Sequence, residues 1–287
     1  MTFFVDIGYL IKAKEFSNTS PNLKIDLDAV ESQLKEIVAT GNDIQLHIHP
    51  HWERSVFSNG KWHIQVDGAY KLSDFTEDEK RRIVFEYKDY LDQLIGYKTK
   101  AFRAGGWCIQ PFDKLENIFR EANIKYDSSV FSGGKFSSSH YAFDFSNAPK
   151  KSSYRFQDDV CKEDEKGEFI EFPISSMNYS PFFFWRLYIL GRLFPKQHKM
   201  LGDGKFLAQP GRKQAVLFNF TWNHISTDGY YISKLNTYLL RSLKNGHKHM
   251  VAIGHPKSMT NYSFRKLSNF LEEHHKTNNF ETFNNLP

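Results

Sequence analysis

Three histidines stand at alternate positions in the stretch 43–52, where an apolar alternating run ends in His47-Ile-His49-Pro-His51. Side chains two and four residues apart share one face of a strand, so all three would point the same way if the strand continued. Residues four apart on a strand lie about 13 Å apart, which is too far to share a metal ion. Pro50 cannot donate to a β-ladder and favours a turn after His49. We therefore expect His51 to fold back beside His47.

This arrangement has a specific chemistry. Neutral imidazole is a ligand for zinc and related metal ions. Three histidines within five residues at the end of a strand predict a metal site there. The alternative is a loop in which the three side chains are simply solvated.

Other polar residues stand at or near the ends of predicted strands. A lone histidine in such a place is commonly structural, and a lone arginine is commonly a salt-bridge partner. In parallel α/β folds, however, sites assemble at the carboxyl ends of the strands. A set that contains histidine, arginine and carboxylates predicts one shared site. The set comprises Asp6, Arg103, Asp127, Glu171 and His255 together with the histidine cluster.

Elements of alternating type connect these residues. Apolar residues at helical spacing, such as Leu27, Val30 and Leu34, alternate along the chain with short apolar runs typical of strands. Thr76 and Glu79 form a capping box before the clearest helix. This alternation predicts an α/β fold with a mainly parallel sheet or barrel. The predicted strands are 2–5, 43–49, 100–103, 124–127, 169–175, 214–220 and 249–254, and the predicted helices are 26–38, 76–95, 112–122, 181–194, 230–243 and 263–274.

Length and composition favour a single domain over residues 1–287. Residues 132–166 are rich in Ser, Gly, Asn and charge, which predicts an irregular insertion. The polar tail 277–287 is expected to fray. No internal repeat is present.

Net charge and cysteine content indicate which binding partners and which cellular compartment to expect. The net charge of +5 is dispersed, and no run of five basic residues occurs, so we expect no nucleic-acid partner. Two distant cysteines, Cys108 and Cys161, do not form a disulfide framework, and a reducing compartment fits them. No signal-peptide pattern is visible, and we expect a cytoplasmic location.

The most apolar stretch, 181–194, is interrupted by Arg186 and Arg192. It is shorter than the ~18 residues that a membrane span needs. An aromatic surface helix or lid is the favoured interpretation, and peripheral membrane contact is the alternative.

Five motifs in order resemble the polysaccharide deacetylase family, which is the NodB-homology group or carbohydrate esterase family 4. The resemblance extends over residues 2–266 and is greatest to an intracellular branch tied to surface-polysaccharide biosynthesis. The motifs are Asp43-Ile-Gln-Leu-His47-x-x-x-His51, Phe102-Arg-Ala-Gly-Gly-Trp107, Tyr126-Asp-Ser-Ser-Val-Phe131, Ile170-Glu-Phe-Pro173 and Ile253-Gly-His255-Pro256.

The resemblance implies a distorted (β/α) barrel and metal-dependent removal of an acetyl group from a sugar or polysaccharide precursor. A metal-activated water would attack the acetyl carbonyl, and the divalent ion would be zinc in the first instance. His47 and His51 would be metal ligands, and His49 faces the same way and could substitute. Arg103 would orient a catalytic carboxylate, and His255 would protonate the leaving group.

We also expect three residues to bind the substrate, namely Trp52, Trp107 and Glu171. One family feature is missing, since the strand-helix unit that carries an Asp motif, and with it the base and a third ligand, would precede Thr2. We expect a longer natural protein, from a late start codon or a fragment. Two other accounts are a degenerate protein that binds without catalysis, and replacement of the missing carboxylate by Asp6 or Asp127.

Three functions therefore stay open at this point. The first is a hydrolase for an acetylated sugar, such as a nucleotide-linked or lipid-linked precursor. The second is a non-catalytic carbohydrate-binding protein. The third is another metal hydrolase, because His-x-His at a strand end also suits amidohydrolase-type barrels.

Overall fold

A parallel β-sheet positions the predicted site residues at the ends of its strands. The structure is a computed structural model that describes residues 1–202 and 212–287. The strands are β1 (Thr2–Asp6), β2 (Asp43–Ile48), β3 (Val56–Ser58), β4 (Lys61–His63), β5 (Ala101–Ala104), β6 (Tyr126–Asp127), β7 (Lys135–Ser137), β8 (Ala142–Asp144), β9 (Tyr154–Phe156), β10 (Phe169–Glu171), β11 (Ser176–Tyr179) and β12 (Thr221–His224). The helices are α1 (Ile7–Ser17), α2 (Pro21–Ala39), α3 (Glu77–Ile95), α4 (Glu116–Glu121), α5 (Pro181–Leu193), α6 (Pro195–His198), α7 (Arg212–Phe218), α8 (Leu235–Lys244) and α9 (Asn261–His274).

The main sheet has six strands in the order β1-β2-β5-β6-β10-β9. Five of them run parallel, and β9 pairs antiparallel with β10. Beyond β10, backbone hydrogen bonds continue through Ser175, whose N–H donates to Val251 and whose carbonyl accepts from Ile225. The described strands thus form an open, mainly parallel sheet in a mixed α/β fold. The closed barrel that the family resemblance implies is not shown.

Helix α3 follows its sequence signals closely. Thr76 accepts a hydrogen bond from the Glu79 N–H, and the Glu79 carboxylate accepts from the Thr76 N–H, which completes the predicted capping box. Ile83, Tyr87 and Leu91 are fully buried at helical spacing, so this face of α3 packs in the core. The helix ends at Gly96, whose φ of 82° is the left-handed conformation of a C-terminal cap.

The sequence pattern does not predict α1, which begins directly after β1. Ile7, Leu10 and Ala13 are its buried apolar residues. Gly8 lies against Trp52, and a Cβ there would meet the indole at 2.7 Å. This close approach packs α1 against the 3₁₀-helix Pro50–Arg54, which carries part of the histidine cluster.

Two predicted strands are wrong. Most of the stretch 214–220 belongs to α7, and the stretch 249–254 forms an isolated bridge between Ile253 and Ser226. A short apolar run does not distinguish a strand from a helix, so the sequence signal was ambiguous at 214–220.

The end of the chain differs from the expected frayed tail. A 3₁₀-helix, Phe283–Asn285, packs the Phe283 ring against Phe4 and Phe172. The Asn284 N–H donates to the carboxylate of Asp43. These contacts hold the tail beneath the amino-terminal ends of the sheet strands.

The stretch 132–166, predicted as an irregular insertion, contains the short strands β7, β8 and β9. Strands β7 and β8 form a hairpin, and β9 lies at the edge of the main sheet. Phe143 and Phe145 are buried in the main hydrophobic core. The insertion is therefore partly an extension of the domain core.

Candidate functional site

One row of side chains crosses three neighbouring strands at their carboxyl ends. In the parallel register, Asp6 of β1 lies opposite His47 of β2, which lies opposite Arg103 of β5. Laterally paired residues share a face of the sheet, because successive side chains alternate between faces along each strand. The structure thus brings Asp6, His47 and Arg103 together on one face.

The chain turns directly after His49, as Pro50 predicts. Strand β2 ends at Ile48, His49 is extended, and the 3₁₀-helix Pro50–Arg54 begins. The ring centroids of His47 and His49 lie 4.7 Å apart, and those of His49 and His51 lie 5.3 Å apart. The turn therefore keeps the three imidazoles in consecutive contact.

Hydrogen bonds hold Asp6 and His47 in this cluster. The Asp6 carboxylate accepts from the Trp52 indole N–H at 2.7 Å and from the His49 backbone N–H at 3.4 Å. The His47 Nδ1 lies 2.6 Å from the carbonyl oxygen of Arg103, so Nδ1 carries the proton and donates it. The Nε2 atom of His47 then keeps its lone pair, which is how proteins commonly prepare a histidine to bind a metal.

Burial controls the charges in the cluster. It raises the pKa of Asp6, while the neighbouring His47 has the opposite effect. Burial, followed by repulsion from a neighbouring imidazole, lowers the pKa of His47 and of His49 to about 3. Burial also lowers the pKa of His51, against the attraction of Asp6. The imidazoles are therefore neutral at neutral pH, which is the form that binds metal ions.

The donor set suits a divalent ion such as zinc, since it offers imidazole nitrogen and carboxylate oxygen. The Nδ1 atoms of His49 and His51 are buried and have no hydrogen-bond partner among the described residues. Within residues 1–202 and 212–287, however, no three His, Cys, Asp or Glu side chains already converge as a metal cage. These residues have the donor atoms that a divalent ion prefers, and two of their nitrogens lack a partner among the described residues. The side chains would have to move for three of them to bind one ion.

A second polar pair approaches the cluster from the other end of the chain. Asp228 accepts the backbone N–H of His255 through Oδ1 and contacts His255 Nδ1 through Oδ2, both at 2.7 Å. Burial is the main cause of the low pKa of His49, and His51, Lys257 and His255 act in the same direction. Sequence reasoning missed Asp228, because 27 residues separate it from His255 and no local motif links them.

A further histidine, His224, ends strand β12 beside this pair and was also missed. Burial lowers its pKa to about 3, while nearby Asp228 acts in the opposite direction. Its ring stacks on Tyr231 with an interplanar angle of 5° and lies 5.3 Å from the Trp107 ring. The polar residues at the end of the run 221–224 were the sequence signal that could have identified His224.

Arg103 is fixed by its neighbours on the sheet. Its Nε and Nη2 donate to the carbonyl and hydroxyl oxygens of Ser128, each at 2.8 Å. The guanidinium lies 4.2 Å from the centroid of the Phe4 ring. Burial lowers its pKa to about 10, so the side chain stays charged at neutral pH. Arg103 thus provides a fixed positive charge next to His47.

Asp127 and Glu171 lie on the opposite face of the sheet. Asp127 pairs laterally with Phe102, the residue before Arg103, and with Glu171. The alternation of side chains therefore directs both carboxyl groups away from the Asp6–His47–Arg103 row. Asp127 is 2% exposed and Glu171 is 0% exposed. The structure does not bring these two predicted site residues to the histidine cluster.

The two predicted sugar-binding tryptophans have different surroundings. Trp52 packs edge-on against Tyr9 and Trp62 and donates to Asp6, so it supports the site from behind. Trp107 has a φ of 62° and lines a small cleft of about 40 Å³ with aromatic and basic neighbours. The cleft is lined by Trp107, Phe131, Lys135, Arg212, Trp222 and His224, among others.

Comparisons with known proteins give little beyond this geometry. No family model matches the chain, and no curated protein matches it. One similar solved structure is described as "Crystal structure of putative polysaccharide deacetylase from Mycobacterium smegmatis", with 17% identity and a TM-score of 0.44. The superposition covers 95% of this chain and 64% of that chain, so this chain spans less than two thirds of its length. At this level the likeness carries no weight for function, which has to be argued from the site.

Proposed function

We propose that this chain is a metal-dependent hydrolase that removes an acetyl group from a sugar or polysaccharide precursor. The observation that carries the proposal is Asp6 beside the cluster of three histidines, and the hydrogen-bonded pair Asp228–His255 supplies a second polar group. The five motifs that resemble polysaccharide deacetylases support the same reaction class. Hydrolysis of an acyl bond needs a base, an acid and an electrophile, and these residue types supply each part.

The histidines would hold the metal ion. His47 offers its Nε2, because its Nδ1 donates to the Arg103 carbonyl. His51 and His49 contribute the buried imidazoles that lack partners among the described residues. A bound divalent ion supplies Lewis acidity toward a carbonyl oxygen and lowers the pKa of water.

Asp6 is the proposed general base. Its position beside His47 and its hydrogen bond from Trp52 fix the carboxylate within the site. Asp6 accepts a proton from the attacking water while the water oxygen bonds to the acetyl carbon. Asp127 is less suited to this role, because it lies on the other face of the sheet.

His255 is the proposed general acid. Asp228 binds both its backbone N–H and its Nδ1, which orients the ring. His255 gives a proton to the leaving nitrogen or oxygen as its bond to the acetyl carbon breaks. The products are acetate and the free amine or alcohol, so protons and bonds balance.

The test is release of acetate from acetylated amino sugars and from O-acetylated sugars, with the purified chain supplied with Zn²⁺, Co²⁺ or Mn²⁺. We expect turnover that a chelator abolishes and that His255→Ala lowers by roughly 10²- to 10⁴-fold. The matched control is His63→Ala, because His63 is exposed on the β3–β4 hairpin. Absence of acetate release with every metal and substrate, in a folded protein, would refute the proposal.

A second candidate is a carbohydrate-binding protein without catalysis. It is favoured by the lack of a preformed three-donor metal cage among the described residues and by the aromatic cleft at Trp107. Titration calorimetry with acetylated oligosaccharides separates the two candidates. Binding that Trp107→Ala abolishes, with no acetate released under any metal, would favour this second function.

A further inference from the structure

Helix α5 exposes a stripe of large apolar side chains. Phe182, Trp185, Ile189 and Leu193 are 74%, 45%, 49% and 67% exposed. At 3.6 residues per turn, these four positions fall within about 80° of one another around the helix axis. They form one continuous face, hereafter called the α5 stripe.

The opposite face of α5 is the one that packs in the protein. Phe183 and Phe184 are buried, and both rings contact Tyr179 and Tyr231. Helix α5 therefore has a complete inner contact, and the stripe is an additional apolar surface.

Helix α7 extends this surface. The Trp185 indole N–H donates to the Leu217 carbonyl at 3.0 Å, and the Trp185 ring contacts the Phe218 ring at 6.5 Å. Phe218 is 70% exposed, and Phe220, shortly after it, is 69% exposed. Contiguous apolar patches of this kind usually mark an interaction surface.

The charges around the stripe have one sign. Arg186 and Arg192 are exposed and lie about 60° to either side of the centre of the stripe around the helix. Lys196 of α6, Lys199 directly after α6 and Lys213 of α7 are also exposed. The sequence has no Asp or Glu from residue 172 to residue 202. The surface is therefore apolar along its centre and basic along both sides.

We propose that the α5 stripe docks the protein on an anionic lipid bilayer, with α5 parallel to the membrane plane. The apolar side chains enter the boundary of headgroups and acyl chains, and the flanking arginines contact lipid phosphates. Within the described residues, no helix is both long and apolar enough to cross a membrane. A second copy of the chain is a poorer occupant, because a two-fold contact of this face with itself would oppose arginines to arginines.

This surface lies near the candidate site, although the proposal does not depend on the proposed reaction. Phe218 and His224 are six positions apart in the sequence, which limits the distance between them to about 20 Å along an extended chain. A protein docked in this way would hold the site close to the membrane surface.

The test is sedimentation of the full chain with lipid vesicles. Vesicles of phosphatidylcholine alone are compared with vesicles that also contain phosphatidylglycerol. We expect binding to the anionic vesicles that weakens several-fold at high salt. The triple variant Phe182→Ser, Ile189→Ser, Leu193→Ser should lower this binding by about tenfold or more. Its matched control is Ile25→Ser, which removes an isoleucine that is 65% exposed on α2.

A second readout works without comparing affinities. Addition of anionic vesicles should shift the fluorescence of the wild-type chain to shorter wavelength, and Trp185→Phe should remove this shift whereas Trp62→Phe keeps it. Equal binding by the triple variant and the wild type would overturn the proposal. So would the absence of binding to anionic vesicles at low salt. A wild-type dimer that the triple variant converts to a monomer, with no vesicle binding, would assign the stripe to a second copy instead.

Discussion

Two groups of titratable side chains lie at the carboxyl ends of neighbouring parallel strands, on opposite faces of one sheet. The Asp6–His47–Arg103 row is half-buried and adjoins two further histidines, His49 and His51. Asp127 and Glu171 are fully buried and paired with each other. A strand-end position is therefore insufficient to identify a catalytic residue, because the face of the sheet decides which groups can meet a substrate.

Hydrogen bonds to the residues that follow β6 hold the buried pair in place. Asp127 accepts from the N–H and the hydroxyl of Ser129, and Glu171 accepts from the Val130 N–H through Oε1. Glu171 Oε2 has no hydrogen-bond donor among the described residues. Burial and the neighbouring Asp127 raise the pKa of Glu171 well above its usual value, so a protonated Glu171 can donate to Asp127.

The largest expected effect separates the two faces by activity. Asp6→Asn should lower acetate release by roughly 10²- to 10⁴-fold, because an amide cannot accept the proton. The amide oxygen still accepts from the Trp52 N–H, so the free energy of unfolding should change by less than about 1 kcal/mol. Steady-state kinetics and urea unfolding measure the two quantities. Turnover at the wild-type rate in Asp6→Asn would show that Asp6 is not the general base.

The second effect separates the faces by stability. Glu171→Ala should lower the free energy of unfolding by about 2–4 kcal/mol, because it opens a cavity and leaves the Val130 N–H without its acceptor. Glu171→Gln can accept from Val130 and donate to Asp127, so it should cost less than about 1 kcal/mol. Urea unfolding gives both values. Loss of turnover in a folded Glu171→Gln protein would place Glu171 in the site after all.

The third prediction uses pH to probe the same pair. The pKa of Glu171 in the folded chain is raised above its usual value of 4.5, and that of Asp127 is also raised by burial. The folded state therefore binds protons more tightly than the unfolded state, and this contribution to stability is lost as the pH rises from 4.5 through the raised pKa. The difference in unfolding free energy between wild type and Glu171→Gln should fall by up to about 1.4 kcal/mol per pH unit there. A difference that stays constant with pH would contradict the shared proton.

The smallest expected effect concerns the support behind the site. Trp52→Phe keeps an aromatic ring beside Tyr9 and Trp62 but removes the N–H that Asp6 accepts at 2.7 Å. We expect a loss of about 1 kcal/mol in stability and about tenfold in turnover. Trp62→Phe is the control, and an equal loss of turnover in that variant would show that ring packing, rather than the bond to Asp6, matters.

The sequence was sufficient to predict the Asp6–His47–Arg103 row on one face of the sheet. It was insufficient to predict that Asp127 and Glu171 lie on the other face. Alternation within β2 and the turn at Pro50 are local, so the neighbourhood of His47 and His49 could be predicted. The face of Asp127 depends on its register with Phe102, which is set by non-local pairing. The same holds for Asp228, whose partner lies 27 residues away.

The secondary structure also divides into features that local sequence predicts and features that depend on distant contacts. The capping box at Thr76 predicted the start of α3, because its hydrogen bonds are local. The short apolar run at 214–220 was predicted as a strand, and its helical state in α7 depends on packing against α5. The tail was expected to fray because it is polar, and its contacts with Phe4 and Phe172 could not be predicted because those residues are distant in the sequence.

The metal content of purified variants tests the central claim most directly, which is that the face with Asp6 and the histidines holds the reaction. Plasma spectrometry after loading with Zn²⁺ and dialysis should find about one ion per chain in the wild type and in Glu171→Gln. His47→Ala should lose most of the bound metal while it stays folded, and His63→Ala should keep it. Full metal occupancy in His47→Ala, or metal loss in Glu171→Gln, would contradict the assignment of the site to this face.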